Sequence, residues 1–438
     1  MTVFWLGSVS ILCKILLLPS YRSTDFEVHR NWLAITYSKP LSEWYFESAS
    51  HSPWTLDYPP FFAYFEYLLA QLAHYFDPRI VNTLNLNDES FSTLLFQRCT
   101  VIATDILFLF TAWKLIQKFA LTRQQSLITF ALAAFSPCFL IVDHIHFQYN
   151  GYLLSFLLLA LYYAHTQSFL LCASFFSILV LSKHIFLPLA PLFAVYLLRS
   201  YCRLQISLSK FSIDIPRFAA VILTALFFLS IALLPFLLQS NPIEQMQAIF
   251  SRLFPFQRGL VHSYWAPNVW ALYTATDYLL YLVLSSQKLI PKASVTPAYL
   301  SGLVGDHAFM LLPRISPLIS LLLVLSTLLP AVTTIYRSPS SRVLQQAVLY
   351  AALSVFMVGY HVHEKAILPV YLLATLHTFL SPSHTQFMAI LATPAITCLF
   401  PLLFHPTELV TKAMIAIVYF SALWCFVICE FSASFKRF

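Results

Sequence analysis

Residues 218–238 carry no ionisable side chain, and apolar runs recur along the whole sequence. They lie at 2–18, 93–116, 124–142, 152–164, 169–181, 185–198, 269–284, 315–336, 345–358, 367–380, 386–404 and 409–430. Segments of about 20 apolar residues match the hydrocarbon thickness of a bilayer. No water-soluble fold could bury so many of them, because 59% of the 438 residues are apolar and only 10% are charged. The chain therefore reads as an all-α polytopic membrane protein with about 12–14 transmembrane helices. There are 25 prolines against 6 glycines, so several spans are expected to be kinked or unwound where a neighbour or a cavity satisfies the backbone.

Basic residues set the orientation. Lys114, Lys118 and Arg123 form one cluster, Arg199, Arg203, Lys210 and Arg217 a second, Arg337 and Arg342 a third, and Lys436 and Arg437 close the sequence. Placing all of them in the cytosol puts 25–92, 143–151 and 239–268 on the opposite side. The parity of the apolar runs is then repaired either by one more broken crossing near 297–312 or by 269–284 failing to cross; the extra crossing is favoured and gives both termini a cytosolic location. The run at 2–18 lacks a basic flank and a small-residue cleavage pattern and reads as an uncleaved anchor. The run at 60–76, interrupted by Glu66 and His74, reads as a helix lying at the membrane surface. The whole of 1–438 is expected to form one polytopic domain, with 19–92 as its large first loop. The formal charge of +7 is accounted for by the cytosolic loops, so no nucleic-acid partner is expected. The eight cysteines sit in or beside apolar runs and read as small membrane-core residues.

Ionisable residues then stand out where they gather. The stretch 23–66 holds Asp25, Glu27, His29, Arg30, Asp57 and Glu66 among tryptophans and tyrosines. Asp143–Asn150 reads DHIHFQYN, with His144, His146, Gln148 and Asn150 available to sugar hydroxyls. Its two histidines are at i,i+2, not the i,i+4 of a helical zinc pair. The run 251–270 places Arg252 and Arg258 among aromatics that include Trp265, with forks suited to phosphate and rings suited to sugars. The run 359–365, GYHVHEK, sets His361, His363 and Lys365 against an apolar segment, where charge is costly and therefore points to function. Lys183 and His184 join them by topology. Each of these groups also has a plainer reading, as a solvated loop, a capped helix end or a structural ion-pair cluster. No Gly-rich nucleotide loop is present, which disfavours a nucleotide-sugar donor.

The runs D-F-E-V-H-R-N-W-L-A-I-T, P-L-S-E-W-Y and W-T-L-D-Y-P-P-F-F-A-Y-F-E resemble the first luminal loop of the eukaryotic glucosyltransferases that use dolichyl-phosphate-glucose. The resemblance continues through D-H-I-H-F-Q-Y-N, R-L-F-P-F-Q-R-G and V-H-E-K. The run H-S-Y-W-A-P-N-V-W-A-L-Y resembles the branch that adds the second glucose to the lipid-linked N-glycan precursor. The resemblance implies a GT-C fold in the endoplasmic reticulum membrane, a luminal active site and an inverting single displacement. The donor it implies is dolichyl-phosphate-glucose, and the acceptor a dolichyl-diphosphate-linked oligosaccharide. It maps the family's catalytic base onto Asp25, with Asp57 and Glu27 positioning the acceptor. Arg258, His361, His363 and Lys365 are the candidates for the donor phosphate. His144, His146, Gln148, Asn150, Arg252 and Trp265 are the candidates for sugar contacts. His29 and Arg30, four and five residues beyond Asp25, are placed to orient its carboxylate if the segment is helical. Asp25 and Glu27 form an acidic pair, yet no complete metal-ligand set is visible, and neither a metal nor another cofactor is expected. Two alternatives stay open: a sister enzyme transferring mannose or the first glucose, and a lipid or solute transporter.

Overall fold

The computed structural model describes residues 1–207, 210–254, 259–262, 266–291, 309–422 and 424–425. Among these the chain is a succession of helices, and the one pair of strands is a short hairpin, Gln205–Ser207 against Lys210–Ser212. Six helices among the described residues are long and apolar enough to cross a membrane: Phe91–Ile116, Arg123–Phe147, Ile215–Leu237, Pro317–Arg337, Ser341–Val358 and Pro382–Leu402. Thr2–Leu16, Phe169–Ser182 and His184–Ser200 are shorter apolar helices. The all-α polytopic expectation is met. The extra crossing expected near 297–312 falls mostly on residues outside those described, as do Lys436 and Arg437.

Local chemistry fixes the helix starts. Ser23, Ser90, Ser316 and Ser340 each accept a backbone N–H of the first turn, and Thr122 forms a capping box with Gln125. Such caps contribute about 1 kcal/mol each. Packing then separates lipid-facing from interior helices. Ile215–Leu237 buries only Ala232 and Phe236 and exposes Leu223, Phe227 and Leu234, as a helix solvated by lipid would. Asn150–His165 is interior, with Leu153, Leu157, Leu158 and Leu161 all fully covered. It packs between Phe91–Ile116 and Phe169–Ser182.

Two features position the site. Thr24–Ser38 lies against Pro60–Phe76, so the first loop is a packed helical layer. The Arg123–Phe147 span changes to π-helical geometry over Leu140–Phe147. Phe147 then turns left-handed at φ 85°, Gln148 is extended, and the helix resumes at Asn150. π-Segments often mark functional sites, and a left-handed phenylalanine costs on the order of 1–3 kcal/mol. The result is that His146, in the π-helical turn, and Gln148, just beyond it, both reach Asp25.

Candidate active site

Asp25 sits in the first turn of Thr24–Ser38, beside the Ser23 cap. Its Oδ2 accepts from Lys365 Nζ at 2.5 Å and from Gln148 Nε2 at 2.5 Å. Lys365 Nζ also lies 2.8 Å from His146 Nε2. Tyr21 donates its hydroxyl proton to the Leu402 carbonyl, so its oxygen accepts from His146 Nδ1 at 2.9 Å. That arrangement places the His146 proton on Nδ1 and leaves Nε2 to accept from Lys365. Burial pushes the Asp25 carboxyl up, but the Lys365 ammonium overrides it and holds the group well below the usual carboxylate range. The Asp25 side chain still keeps 23% of its surface open.

Behind this lies a second row. Asn150 Nδ2 donates to Gln148 Oε1 at 2.7 Å and to Asp143 Oδ1 at 2.8 Å, and Lys183 Nζ donates to Asn150 Oδ1 at 2.9 Å. Gly151 N–H donates to Asp143 Oδ2 at 2.7 Å. A Cβ on Gly151 would stand 2.9 Å from Asp105 Oδ1, so the turn after Asn150 has no room for a side chain. The Lys183 ammonium sits 4.9 Å over the Tyr58 ring. Burial brings Lys183 down to about 8, against the pull of Asp143, Asp25 and Asp57. Asp57 thus belongs to the electrostatic surroundings of the same pocket.

Several expected residues lie elsewhere. Glu27 is turned to Arg30. Its two oxygens take the Arg30 fork at 2.8 and 2.9 Å, and Arg30 also donates to the Ile80 and Asn82 carbonyls. Nor do His29 and Arg30 orient Asp25, since His29 pairs with Glu66 at 2.6 Å. His144 points into the interior, 2.7 Å from Asp105, which Lys14 meets at 2.5 Å, so it is no sugar-facing rim. Its carbonyl and that of Ile145 are held by Arg98. Arg252 stands apart from Asp25, 3.1 Å from Glu47 and bonded to the Tyr45 carbonyl. Arg258 and Trp265 lie outside the described residues.

His361 and His363 are joined by His262, a residue the sequence reading gave no role. The segment Gly259–His262 pairs with 360–363: His361 N–H donates to the Leu260 carbonyl at 2.8 Å, and Val261 bridges Val362 in parallel. This sets the His262 ring 4.1 Å from His363 and 4.9 Å from His361, between centroids. Burial drives His262 down to about 2, with His363 and His361 adding to the effect. His363 Nδ1 is 2.9 Å from Glu364. Ligand atoms of His262, His363 and Glu364 lie within 4.8 Å of one another, a set that could hold a divalent ion. Tyr21, the partner of His146, is likewise an addition that sequence reasoning missed.

An all-α membrane protein that gathers one ionised carboxylate, an ammonium and several imidazoles at the ends of its helices has the equipment of an integral-membrane group transferase. The chain belongs to the ALG6, ALG8 glycosyltransferase family, whose pattern matches residues 10–437. It is therefore a hexosyltransferase by family. It is similar, at 42% identity over 435 residues, to a mouse protein named dolichyl pyrophosphate Glc1Man9GlcNAc2 alpha-1,3-glucosyltransferase, with 95% of this chain and 81% of the mouse protein covered. A Drosophila melanogaster protein named as a probable enzyme of that kind is 44% identical over 409 residues, covering 92% and 76%. The Arabidopsis thaliana protein of the same name as the mouse one is 39% identical over 429 residues, covering 96% and 81%.

Proposed function

We propose that this chain transfers glucose from dolichyl-phosphate-glucose, in α-1,3 linkage, to a monoglucosylated dolichyl-diphosphate oligosaccharide at the luminal face of the endoplasmic reticulum membrane. The observation that carries the mechanism is the Lys365–Asp25 contact at 2.5 Å. Asp25 takes the proton of the acceptor 3-hydroxyl as that oxygen attacks the glucose C1. The bond from C1 to the phosphate oxygen breaks, and dolichyl phosphate leaves with the electron pair. One displacement inverts a β-linked donor to an α-linked product, with the base on the face opposite the leaving group. The leaving phosphate needs charge stabilisation more than a proton. Lys365, His361 and His363 supply it, with Arg258 as a further candidate.

Lys365 cannot neutralise Asp25 and the phosphate equally. In the resting pair the ammonium keeps Asp25 ionised but poorly basic. As the donor phosphate draws Lys365 toward itself, Asp25 is relieved and its basicity rises. The base is thus made competent by the donor it serves. Gln148 keeps the carboxylate aimed, Asn150 and Lys183 hold Gln148, and Asp57 belongs with the acceptor. The reaction as written calls for no metal ion.

The test is a purified-protein assay with synthetic dolichyl-phosphate-glucose and graded acceptors. Transfer to the monoglucosylated acceptor, insensitive to chelator, supports the reading. Transfer only to the unglucosylated acceptor assigns the first-glucose reaction instead. Loss of transfer on chelation moves the chemistry to a metal-assisted route through His262, His363 and Glu364.

A further inference from the structure

Away from Asp25, the described residues form an open surface recess of about 490 Å³. It lies between the turn at 45–48 and the helix Pro242–Leu253. That helix buries Gln245, Ile249 and Leu253 and turns Glu244, Gln247 and Ser251 outward. Gln245 donates to the Ser42 carbonyl at 2.8 Å, and Arg252 ties the other end to Glu47 and the Tyr45 carbonyl. These contacts tie the helix to the 42–47 turn that forms the other wall.

Its lining offers groups that can bind carbohydrate. Carboxylates, an amide and a guanidinium can each take a pair of neighbouring hydroxyls, and a ring such as Phe46 can cover the C–H face of a sugar. The volume falls within the range of about 300–1,000 Å³ usual for ligand clefts, room for more than one pyranose. An apolar lipid chain would desolvate these polar groups without offering them hydrogen bonds. Packing links the recess wall to the residues around Asp25. Tyr45, which lines it, donates its hydroxyl to the Tyr58 carbonyl at 2.8 Å, and the Tyr58 ring underlies Lys183.

We propose that this recess binds a stretch of the acceptor oligosaccharide remote from the reacting glucose. The inference rests on the glucosyl-transfer reading. The relatives are named for a long glycan, Glc1Man9GlcNAc2, and in this reading only its reacting end meets Asp25. The recess supplies uniform binding: it lowers KM for a long acceptor without touching the chemical step.

The experiment compares two acceptors on the purified full chain. One is the complete monoglucosylated lipid-linked oligosaccharide, and the other a truncated lipid carrying the reacting glucose and one further hexose. In the Glu244→Ala/Gln247→Ala protein, and in Ser251→Trp, which fills the recess, KM for the complete acceptor should rise roughly tenfold, the loss of a few hydrogen bonds. kcat, and KM for the truncated acceptor, should stay at wild-type values, which also shows that the variants are folded. An unchanged KM for the complete acceptor, or an equal rise for both acceptors, would overturn the recess while leaving the transfer reaction in place. Absence of any glucosylated product from the wild-type protein would instead overturn the underlying reading.

Discussion

Asp25 and Asp105 are both clamped by a lysine and flanked by a histidine from the same π-helical turn. Asp105 meets Lys14 at 2.5 Å and His144 at 2.7 Å, and all three side chains are 2–4% exposed. Asp25 meets Lys365 at 2.5 Å and has His146 at 3.4 Å, with its carboxylate 23% exposed. The chemical groups are the same and the access differs. The closed triad joins the first helix to two interior helices, and no substrate can enter it. The open one is where a substrate hydroxyl and a phosphate can compete for the same partners. Intramembrane charge alone therefore does not separate structure from chemistry here, whereas exposure does.

Mutation should separate the two clusters. The largest expected effect on folding is at the closed triad. Asp105→Ala leaves Lys14 buried and unpaired and should cost about 3–5 kcal/mol, read as a fall in thermal midpoint and in yield of folded protein. Asp25→Asn, whose amide oxygen can still accept from the partly open Lys365, should lower the midpoint less than Asp105→Asn does; an equal fall in the two Asn variants would erase the distinction. Next comes Gln148→Met, which removes a hydrogen bond to a charged group worth on the order of 1.5–3 kcal/mol. Its transfer rate should fall roughly tenfold or more, with folding intact.

Lys365→Met tests the electrostatics. The folded Asp25 carboxyl is depressed, so it stays ionised through its ordinary range and loses its charge only as pH falls through the lowered value. Removing the ammonium takes away the main force opposing burial and raises that pKa. The acid limb of the transfer rate should move to higher pH, and donor KM should rise. An acid limb that stays put would detach Lys365 from Asp25. The smallest effect is at the exposed Lys39–Glu43 pair, 3.8 Å apart, where Lys39→Ala should change stability by no more than about 0.5 kcal/mol.

The helical architecture is legible in the sequence because apolar runs have one solution in a bilayer. The site is legible in part. Asp25, His146, Gln148, Asn150 and Lys365 all stand out as ionisable or polar residues at span ends, though Asp25 and Lys365 are 340 positions apart. Glu27 invites a role in binding, although its spacing to Arg30, i,i+3, already favours the local pair that forms. His144 and His146 cannot be told apart from sequence, because the π-turn and the left-handed Phe147 that send them in different directions leave no periodic signal. His262 is hidden for another reason: its neighbours His361 and His363 come from a segment about a hundred residues away, joined to it by a short parallel pairing. Arg252 carries a functional look, and only packing reveals that it closes a separate recess.

Whether Asp25 is the base for glucosyl transfer is decided by a single-turnover experiment. Transfer of glucose from dolichyl-phosphate-glucose to the monoglucosylated acceptor is followed for wild type and Asp25→Asn, at saturating concentrations of both substrates and normalised to folded protein. The variant is expected to be slower by about 10²–10⁴, with donor binding retained. Transfer by Asp25→Asn at a rate close to wild type would contradict a base at this position.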